Sequence, residues 1–418
     1  GILLCVALLL GLGLVMLYSA GMGQKGTVYV QMQLLWAGVG FIALIVCSTI
    51  DYQRLKSPLF IIILYGVAVV LLLSVFIPGL GVKANGALRW GKIGFVRYQP
   101  SEVGKIVIII VLAFYCDYIH RKIKTFLGGI VVPSVLIGFM AGLIILGKDY
   151  GSTILTGVVC LAILTIGGTR FRYILLVSFA GAAIFYVAIT NNENRMGRIN
   201  AWKNPKQYAT TFAYQNTQAW IALGSGGWRG KGLGESRQKY GFVPENHTDF
   251  ILAIIGEELG LRATLGVVLL YIIFTILGGL VAYRAPDLFG MLIAAGITIM
   301  ISLQAIINIA VVTGVIPNKG LPLPLISYGG SNLVITMAGI GLLLNICRKG
   351  QDSLLNSATD VSLVDDYFVN DTDNFIINSS GYLNVTGQLA VGIYHVNVSV
   401  NDTLGNVNST IYNLNVTT

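Results

Sequence analysis

Residues 244–260 read PENHTDFILAIIGEELG, and this stretch sets His247, Asp249, Glu257 and Glu258 around a strongly apolar run. Lipid disfavours such charges, and a soluble core rejects most of them unless they are paired. Which solvent the run meets therefore decides the fold, and the rest of the chain supplies the answer. Of its 418 residues, 55% are hydrophobic and only 11% charged, against roughly a quarter charged in an average soluble domain. Several apolar runs reach the ~20 residues needed to cross a bilayer. The expected fold is an all-α polytopic membrane protein.

Ten spans can be read, at about 1–19, 30–50, 58–77, 103–119, 126–147, 151–168, 171–190, 248–283, 287–316 and 329–347. Residues 1–19 lack the basic start of a signal peptide and further spans follow at once. They are read as a first transmembrane helix in a chain trimmed ahead of it. Orientation follows from basic residues in short loops. Arg54, Lys56, Arg121, Lys122, Lys124, Arg170, Arg172, Arg284, Arg348 and Lys349 fall on one side, which is placed in the cytoplasm. Lys25 and Lys319 fall in short loops opposite, together with the two longest loops, 78–102 and 191–247. With ten spans, both ends of the membrane part are cytoplasmic, and the large loop is extracytoplasmic.

All 27 Lys and Arg precede residue 351 with 11 of the 18 acids, a net +16, whereas the remainder holds seven Asp and no base. This break separates a membrane domain over 1–350 from a C-terminal module over 358–418. There, alternating Val, Ile, Tyr and Asn with Gly-containing turns predicts antiparallel strands of a small all-β sandwich. The module resembles PKD-like or immunoglobulin-like repeats of microbial surface-layer proteins. Its sequons, such as Asn384 and Asn408, belong to an exported setting, yet the topology places it in the cytoplasm. It is read as an appended, engineered fusion with no bearing on activity. Cys5, Cys47, Cys116, Cys160 and Cys347 lack metal-ligand spacing and are expected to pack as free thiols.

The 191–247 loop carries Arg195, Arg198, Lys203, Lys206, Arg229, Lys231, Arg237 and Lys239 against Glu193, Glu235 and Glu245. An external loop this basic runs against the usual asymmetry. Either it meets anionic head groups or it holds a phosphorylated ligand at the outer face. Its interleaved aromatics would suit nucleic acid, but an external loop excludes that partner. Glu102 and Lys105 open the fourth span three residues apart, share a face and can pair; the plain alternative is a cap and a snorkelling lysine. Lys148-Asp149 makes a polar elbow, or simply a tight turn. Their recurrence at one leaflet favours a shared polar cavity.

Asn246, Thr248 or Asp249 is expected to cap the helix that follows. A helix N-terminus also favours an ionised carboxylate, the form that accepts a proton. Glu257 and Glu258 lie eight and nine residues beyond Asp249, roughly 12–13 Å along a helix. That is too far for a paired-carboxylate mechanism, so both are read as structural, one of them paired with Arg262. His247 has no companion at metal-ligand spacing. A nucleophile elbow, a P-loop, a HExxH motif and a Cys-His pair are absent from the sequence.

Eight motifs occur along the chain: Gln99-Pro100-Ser101-Glu102-x-x-Lys105, Asp149-x-Gly151-Ser152, Arg195-x-x-Arg198, Trp202-x-Asn204-Pro205, Tyr214-Gln215, Gly226-Gly227-Trp228-x-Gly230-x-Gly232-Leu233-Gly234, Pro244-Glu245-x-His247-Thr248-Asp249-Phe250, and Gly320-Leu321-Pro322-Leu323-Pro324-Leu325-Ile326-Ser327-Tyr328-Gly329-Gly330-Ser331. Through them residues 1–348 resemble the SEDS family (shape, elongation, division and sporulation) of bacterial membrane glycosyltransferases. Tyr18-Ser19-Ala20, Asp149-Tyr150-Gly151 and Pro317-Asn318-Lys319-Gly320 look closer to the division-type FtsW branch than to the elongation-type RodA branch. Asn332 departs from a common second serine, and Lys148 from a common proline or glutamine.

The resemblance implies a ten-helix protein of the bacterial cytoplasmic membrane whose active site faces outward. Its implied substrate is lipid II, the undecaprenyl-pyrophosphate-linked disaccharide pentapeptide. The acceptor's GlcNAc 4-hydroxyl attacks C1 of the donor's MurNAc with inversion, releasing undecaprenyl pyrophosphate. Asp249 falls on the family's essential aspartate and is assigned as general base; Glu102 and Lys105 fall on its cavity residues. Arg195, Arg198 and Lys231 are candidates to stabilise the leaving pyrophosphate, Lys105 either helps them or fixes Glu102, and His247 joins the substrate-binding set. The glycines of 226–234 would let backbone approach a bulky substrate. No particular cofactor is implied, and Asp249 is also a candidate ligand for a divalent cation, Mg or Mn. The implied partners are a class B penicillin-binding protein, supplying the transpeptidase, and other division proteins. Two rival readings are a lipid II flippase and a non-enzymatic division scaffold. The first lacks the internal repeat common in transporters, and the second leaves the cavity charges without a purpose.

Overall fold

A computed structural model describes the chain except residues 23–25, 85–86, 95, 245, 363, 371–373, 378–382, 387–391, 403–406 and 417–418. Lys25 and Glu245 therefore lie outside the described residues. The chain divides into two compact units, Gly1–Arg348 and Lys349–Thr418.

The first unit is mostly helical. It runs α1 (Ile2–Gly21), α2 (Val28–Thr49), α3 (Pro58–Ser74), a small meander of β1 (Gly81–Ala84), β2 (Ala87–Ile93) and β3 (Val96–Tyr98), then α4 (Pro100–Tyr118), α5 (Val132–Leu146), α6 (Tyr150–Ile166) and α7 (Phe171–Thr190). There follow α8 (Glu193–Lys203), α9 (Tyr214–Gly226), α10 (Ile251–Leu259), α11 (Leu261–Tyr283), α12 (Leu288–Val312) and α13 (Gly330–Ser362). Seven of the described helices are long and apolar enough to cross a membrane, and α3 and α6 are shorter apolar helices. α4 carries Glu102, Lys105 and Asp117 along an otherwise mostly apolar run. α12 is the axis of the unit: it is buried over most of its length and packs on α4, α6 and α11. α7, with Ile174 as its one buried residue, sits at the periphery.

The loop ends sort as the charge pattern predicts. At one end, the Tyr52 hydroxyl donates to Asp287 (3.1 Å), the Tyr52 amide to Asn345 Oδ1 (3.1 Å), and Lys56 pairs with Asp117 at 2.7 Å. Tyr52, Lys56 and Asp287 come from short connections, and Asp117 and Asn345 from the helices beside them. At the other end Gln99 meets Asp149, and Tyr328 N donates to the His247 carbonyl. All five cysteines are free.

Three boundaries differ from the sequence reading. The 78–102 stretch, read as a loop, contains the antiparallel β1-β2-β3 meander. α13 continues to Ser362, beyond the predicted end at 347. The predicted 248–283 span is two helices, broken at Gly260 with φ +79°. Only glycine adopts that backbone cheaply, and a Cβ there would lie 2.4 Å from Gly230 N and 2.5 Å from the Trp228 carbonyl.

The same junction changes the reading of the glycine-rich loop. Gly226 and Gly230 press against the end of α10: added Cβ atoms would meet the carbonyls of Gly256 at 1.9 Å and Glu258 at 2.2 Å. In return, Lys231 N and Gly232 N donate to the Glu257 and Glu258 carbonyls, and Leu261 N to Gly227 O. These glycines thus serve the approach of the loop to its own helix. The break leaves helix-end carbonyls that must be satisfied internally, and the loop backbone supplies the donors.

The second unit holds β4 (Val364–Val369), β5 (Phe375–Ile377), β6 (Leu383–Val385), β7 (Gly392–Asp402) and β8 (Val407–Val416), paired antiparallel in the orders β4-β7-β8 and β5-β6.

Gly230→Ala is expected to destabilise the first unit by at least about 2 kcal/mol, combining overpacking with left-handed backbone strain. Gly224→Ala lies in α9 with nothing within 4 Å of the added methyl, so helix propensity makes it neutral or stabilising. Thermal unfolding of the detergent-solubilised variants separates the two.

Candidate functional site

Buried carboxylates are the skeleton of the loop end. Glu257 and Glu258, both 0% exposed, reach back from the last turn of α10 into the 225–239 loop. Glu257 accepts from Lys231 Nζ (2.7 Å), Ser236 Oγ (2.5 Å), and the amides of Arg237 and Gln238. Glu258 accepts from Ser19 Oγ of α1 (2.6 Å), Lys239 Nζ (3.2 Å), and the amides of Gly234 and Ser236. Arg262, the expected partner, belongs to the next helix beyond the Gly260 break. Lys231, expected to face a leaving pyrophosphate, pairs with Glu257 and stays 32% exposed.

Lys239, itself 0% exposed, also donates to the Gly234 carbonyl at 2.6 Å, and its own carbonyl accepts from Asn246 Nδ2 at 2.9 Å. The chain leading to Asp249 is thereby anchored to the same network. Residues 247–249 are next held through three consecutive carbonyls. That of His247 accepts from Tyr328 N (2.9 Å), that of Thr248 from Ser327 Oγ (2.5 Å), and that of Asp249 from Asn308 Nδ2 (2.7 Å). Asn308 Nδ2 also donates to Leu321 O at 2.7 Å.

One turn earlier on α12, Gln304 Nε2 donates to the Pro322 carbonyl at 2.9 Å. Two side-chain amides on one face of α12 therefore fix both the 321–322 chain and the backbone of Asp249. The expected capping role is not realised. α10 begins at Ile251, its N-cap position is Phe250, and no side chain caps it. Asp249 lies one residue outside the helix because its carbonyl is taken by Asn308.

The Asp249 carboxylate lies against the Gly320 α-carbon; a Cβ on Gly320 would be 2.6 Å from Oδ2. Around it are cations from separate elements. Arg198 of α8 feels Asp249, Arg89 of β2 and Arg195. Burial, then the charge of Arg89, lower its pKa from the usual range, and Asp249 opposes that. Arg195 stacks on the Tyr150 ring, 3.2 Å from the centroid, and donates to Ala188 O at 2.7 Å. Lys319 directly precedes Gly320, and burial lowers its pKa to about 8. His247 stacks on Tyr29 with centroids 4.2 Å apart.

Glu102 and Lys105 form the expected pair, 2.9 Å apart and each 2% exposed. Glu102 also accepts from Asn332 Nδ2 (2.8 Å), and Lys105 donates to Gln304 Oε1 (2.9 Å). Asp149 caps α6 through Ser152 N and accepts from Gln99 Nε2 and Ser101 Oγ. Arg89, Ser101 and Asp149 line one small recess.

The structure thus gathers Asp249, Arg198 and Arg195 and ties Glu102 and Lys105 to them through Gln304. Two residues escaped the sequence reading. Arg89 lies in a loop read only for its length, and Lys319 is read only as an orientation charge and as part of a branch motif. Among the described residues, no three His, Cys, Asp or Glu side chains converge as a metal site. Beside Asp249 the neighbouring charge is arginine, so the donor set does not fit a protein-held divalent cation.

These features define a polytopic membrane protein whose charged residues converge at the loop end of the bundle, beside a carboxylate fixed by its backbone. Residues 1–352 match the family of FtsW, RodA and SpoVE cell cycle proteins, and the chain belongs to that family. A probable peptidoglycan glycosyltransferase FtsW from Geobacter metallireducens is 40% identical over 354 residues, 83% of this chain and 94% of the relative. Stage V sporulation protein E of Bacillus subtilis is 37% identical over 351 residues, 82% of this chain and 94% of that one. The rod shape determining protein RodA of Thermus thermophilus has a similar structure, with a TM-score of 0.62 at 26% identity, covering 84% of this chain and 96% of RodA. A chain of a peptidoglycan synthase complex that coordinates polymerization and crosslinking gives a TM-score of 0.70 at 25% identity, over 84% of this chain and 97% of that one.

Lys239→Met leaves Glu258 buried without its cation and is expected to cost about 3–5 kcal/mol. Lys231→Met removes a cation that is 32% exposed and is expected to cost clearly less. Thermal midpoints of the two variants, measured side by side in one detergent, check the order.

Proposed function

We propose that this chain polymerises lipid II into glycan strands at the outer face of the bacterial cytoplasmic membrane, in cell division or shape maintenance. The observation that carries this reading is Asp249, fixed by its backbone beside Arg198 at the loop end of the bundle. In the proposed step Asp249 accepts the proton of the acceptor's sugar hydroxyl as its oxygen attacks C1 of the donor. The new glycosidic bond forms with inversion as the bond from C1 to the pyrophosphate oxygen breaks, and the electron pair leaves on undecaprenyl pyrophosphate. Arg198, Arg89 and Lys319 oppose the charge that develops on that group. Arg195 holds the Tyr150 face of the cavity, while Glu102 and Lys105 brace it through Gln304. His247, stacked on Tyr29, borders the acceptor side.

The reading includes ten spans, with both ends of the membrane domain cytoplasmic and the active site outside. It places the chain nearer the FtsW branch than the RodA branch. A class B penicillin-binding protein is the proposed transpeptidase partner, alongside other division proteins. Residues 358–418 are proposed to be an appended β-sandwich module, separate from the membrane domain over 1–350, that leaves activity unchanged.

Purified protein in detergent, given lipid II and its partner, is expected to make glycan. Asp249→Asn should lower the rate by about 10²–10⁴-fold, the usual worth of a general base, with an unchanged thermal midpoint. Retained polymerisation by Asp249→Asn removes the base assignment. Lipid II flipping in liposomes without any polymer makes the protein a transporter instead.

Lys319 gives the pH dependence its sign. Its ammonium opposes the leaving group only while protonated, so kcat/KM should fall as pH rises through about 8. Lys319→Arg keeps its charge well above that range and should remove the alkaline fall, as rates measured between about pH 7 and 9.5 would show.

A further inference from the structure

The α4–α5 and α6–α7 connections, at the end of the bundle away from Asp249, gather charge that nothing nearby answers. Residues 118–131 carry Arg121, Lys122 and Lys124, residues 165–173 carry Arg170 and Arg172, and neither stretch holds an Asp or Glu. All five bases are exposed, and none takes part in an ion pair among the described residues. The adjacent carboxylate, Asp117, is already bridged to Lys56. Other connections at this end are balanced within themselves: Asp51 accompanies Arg54, and Asp287 accompanies Arg284.

The two basic connections form one platform. Between the exposed Lys122 and Lys124, Ile123 is buried, and a Cβ on Gly168 would lie 3.9 Å from its Cγ2. A Cβ on Gly129 would be 3.3 Å from Thr169 Cγ2 and 3.4 Å from Tyr173 Cδ2. Phe126 meets the Tyr173 ring edge to face, with centroids 5.9 Å apart, and Arg172 Nη2 donates to the Tyr173 hydroxyl at 3.1 Å. The first connection is held in turn to α4, where the Tyr115 hydroxyl donates to the Gly128 carbonyl at 2.7 Å. Like charges fixed side by side repel one another and cost stability until anions approach them.

The surroundings name the anion. Tyr118, Phe126, Leu127 and Phe171 are exposed beside these bases, and the apolar runs of Leu127–Leu146 and Phe171–Thr190 begin at the same level. Aromatic rings and basic heads at one level suit the head-group region of a bilayer. A nucleic acid or an acidic protein surface would answer the charge but leave the apolar side chains in water. We propose that this platform is a binding site for the phosphodiester head groups of anionic phospholipids, with Arg121, Lys122, Lys124, Arg170 and Arg172 as its cations. The site is separate from the polymerase reading and needs only a bundle that spans the membrane.

The test follows the thermal midpoint of the full chain in detergent micelles. Three probes are added in turn: dioleoylphosphatidylglycerol, dioleoylphosphatidylcholine, and water-soluble glycerol phosphate. Phosphatidylglycerol is expected to raise the midpoint saturably, and the other two to leave it unchanged. The quintuple variant Arg121→Gln, Lys122→Gln, Lys124→Gln, Arg170→Gln, Arg172→Gln breaks no ion pair, so it should keep its lipid-free midpoint and lose the response. Should that variant fail to fold, the double variant Arg121→Gln, Lys124→Gln decides. It should raise the phosphatidylglycerol needed for half the effect by at least about fivefold, the worth of one base at an anionic surface. Arg54→Gln with Arg284→Gln, at the same end but outside the platform, should keep the full response. An equal response to phosphatidylcholine overturns the proposal, and so does an equal response to glycerol phosphate, which marks a site for free anions. Retention of the full response in the platform variants, its loss in the Arg54 and Arg284 variant, or no saturable shift with any probe overturns it as well.

Discussion

A carboxylate withdrawn from water is tolerated only when donors are already in place to replace its hydration. Four carboxylates of the first unit meet that condition, and each is satisfied by more than one element. Glu258 draws on Ser19 of α1 and on the 234–239 loop. Glu257 draws on Ser225 of α9 and on loop residues 231–238. Asp149 joins the start of α6 to Gln99 and Ser101 at the start of α4, and Glu102 joins α4 to Asn332 of α13. Helix packing alone would leave the loop end loose, because connecting segments bury little apolar surface. The buried charges make it rigid: removing one donor strands an anion, so the elements hold together or fail together.

That rigidity is what a glycosyl transfer requires. A sugar hydroxyl is a weak nucleophile, and its base must already stand where the proton will leave. Asp249 gains its position from backbone carbonyls at 247, 248 and 249, fastened to Tyr328, Ser327 and Asn308. Those fastenings run back through α12 to the Glu102–Lys105 pair by way of Gln304. A transporter needs a polar path through the midplane that can alternate between two sides. Here the buried charged residues cluster at one end, and the links among them favour a single fixed arrangement.

Hydropathy made most of the spans legible because crossing a bilayer demands long apolar runs, and short-loop bases ordered their ends. It could not register Gly260, since one residue of reversed backbone leaves an apolar average untouched. The partner of Glu258 was equally hidden: Ser19 lies 239 residues away, and nothing local points to it. Arg262 looked suitable only while 248–283 was taken as one helix. The meander did carry a signal, Asn85-Gly86 between alternating apolar and polar residues, the pair that favours a tight hairpin. Hydropathy passes over it, because the segment registers only as a long loop between two spans. Arg89 went with it, although its side chain reaches the recess lined by Asp149.

The departure at Asn332 shows how a local change can be absorbed by this network. Its amide donates to Glu102 Oε2, the same oxygen that Lys105 approaches. A carboxylate oxygen has room for both donors, so the extra bond adds to the ion pair without displacing it. Lys105 therefore keeps a hand for Gln304, and through Gln304 the 322 carbonyl stays in place. Asp249, by contrast, is located by its main chain, so its position does not depend on the identity of its own side chain. Buried carboxylates that build the fold are held by their oxygens, whereas a carboxylate that must exchange a proton is better held by its backbone. The backbone of half-buried Asp249 is fastened through the carbonyls of 247, 248 and 249.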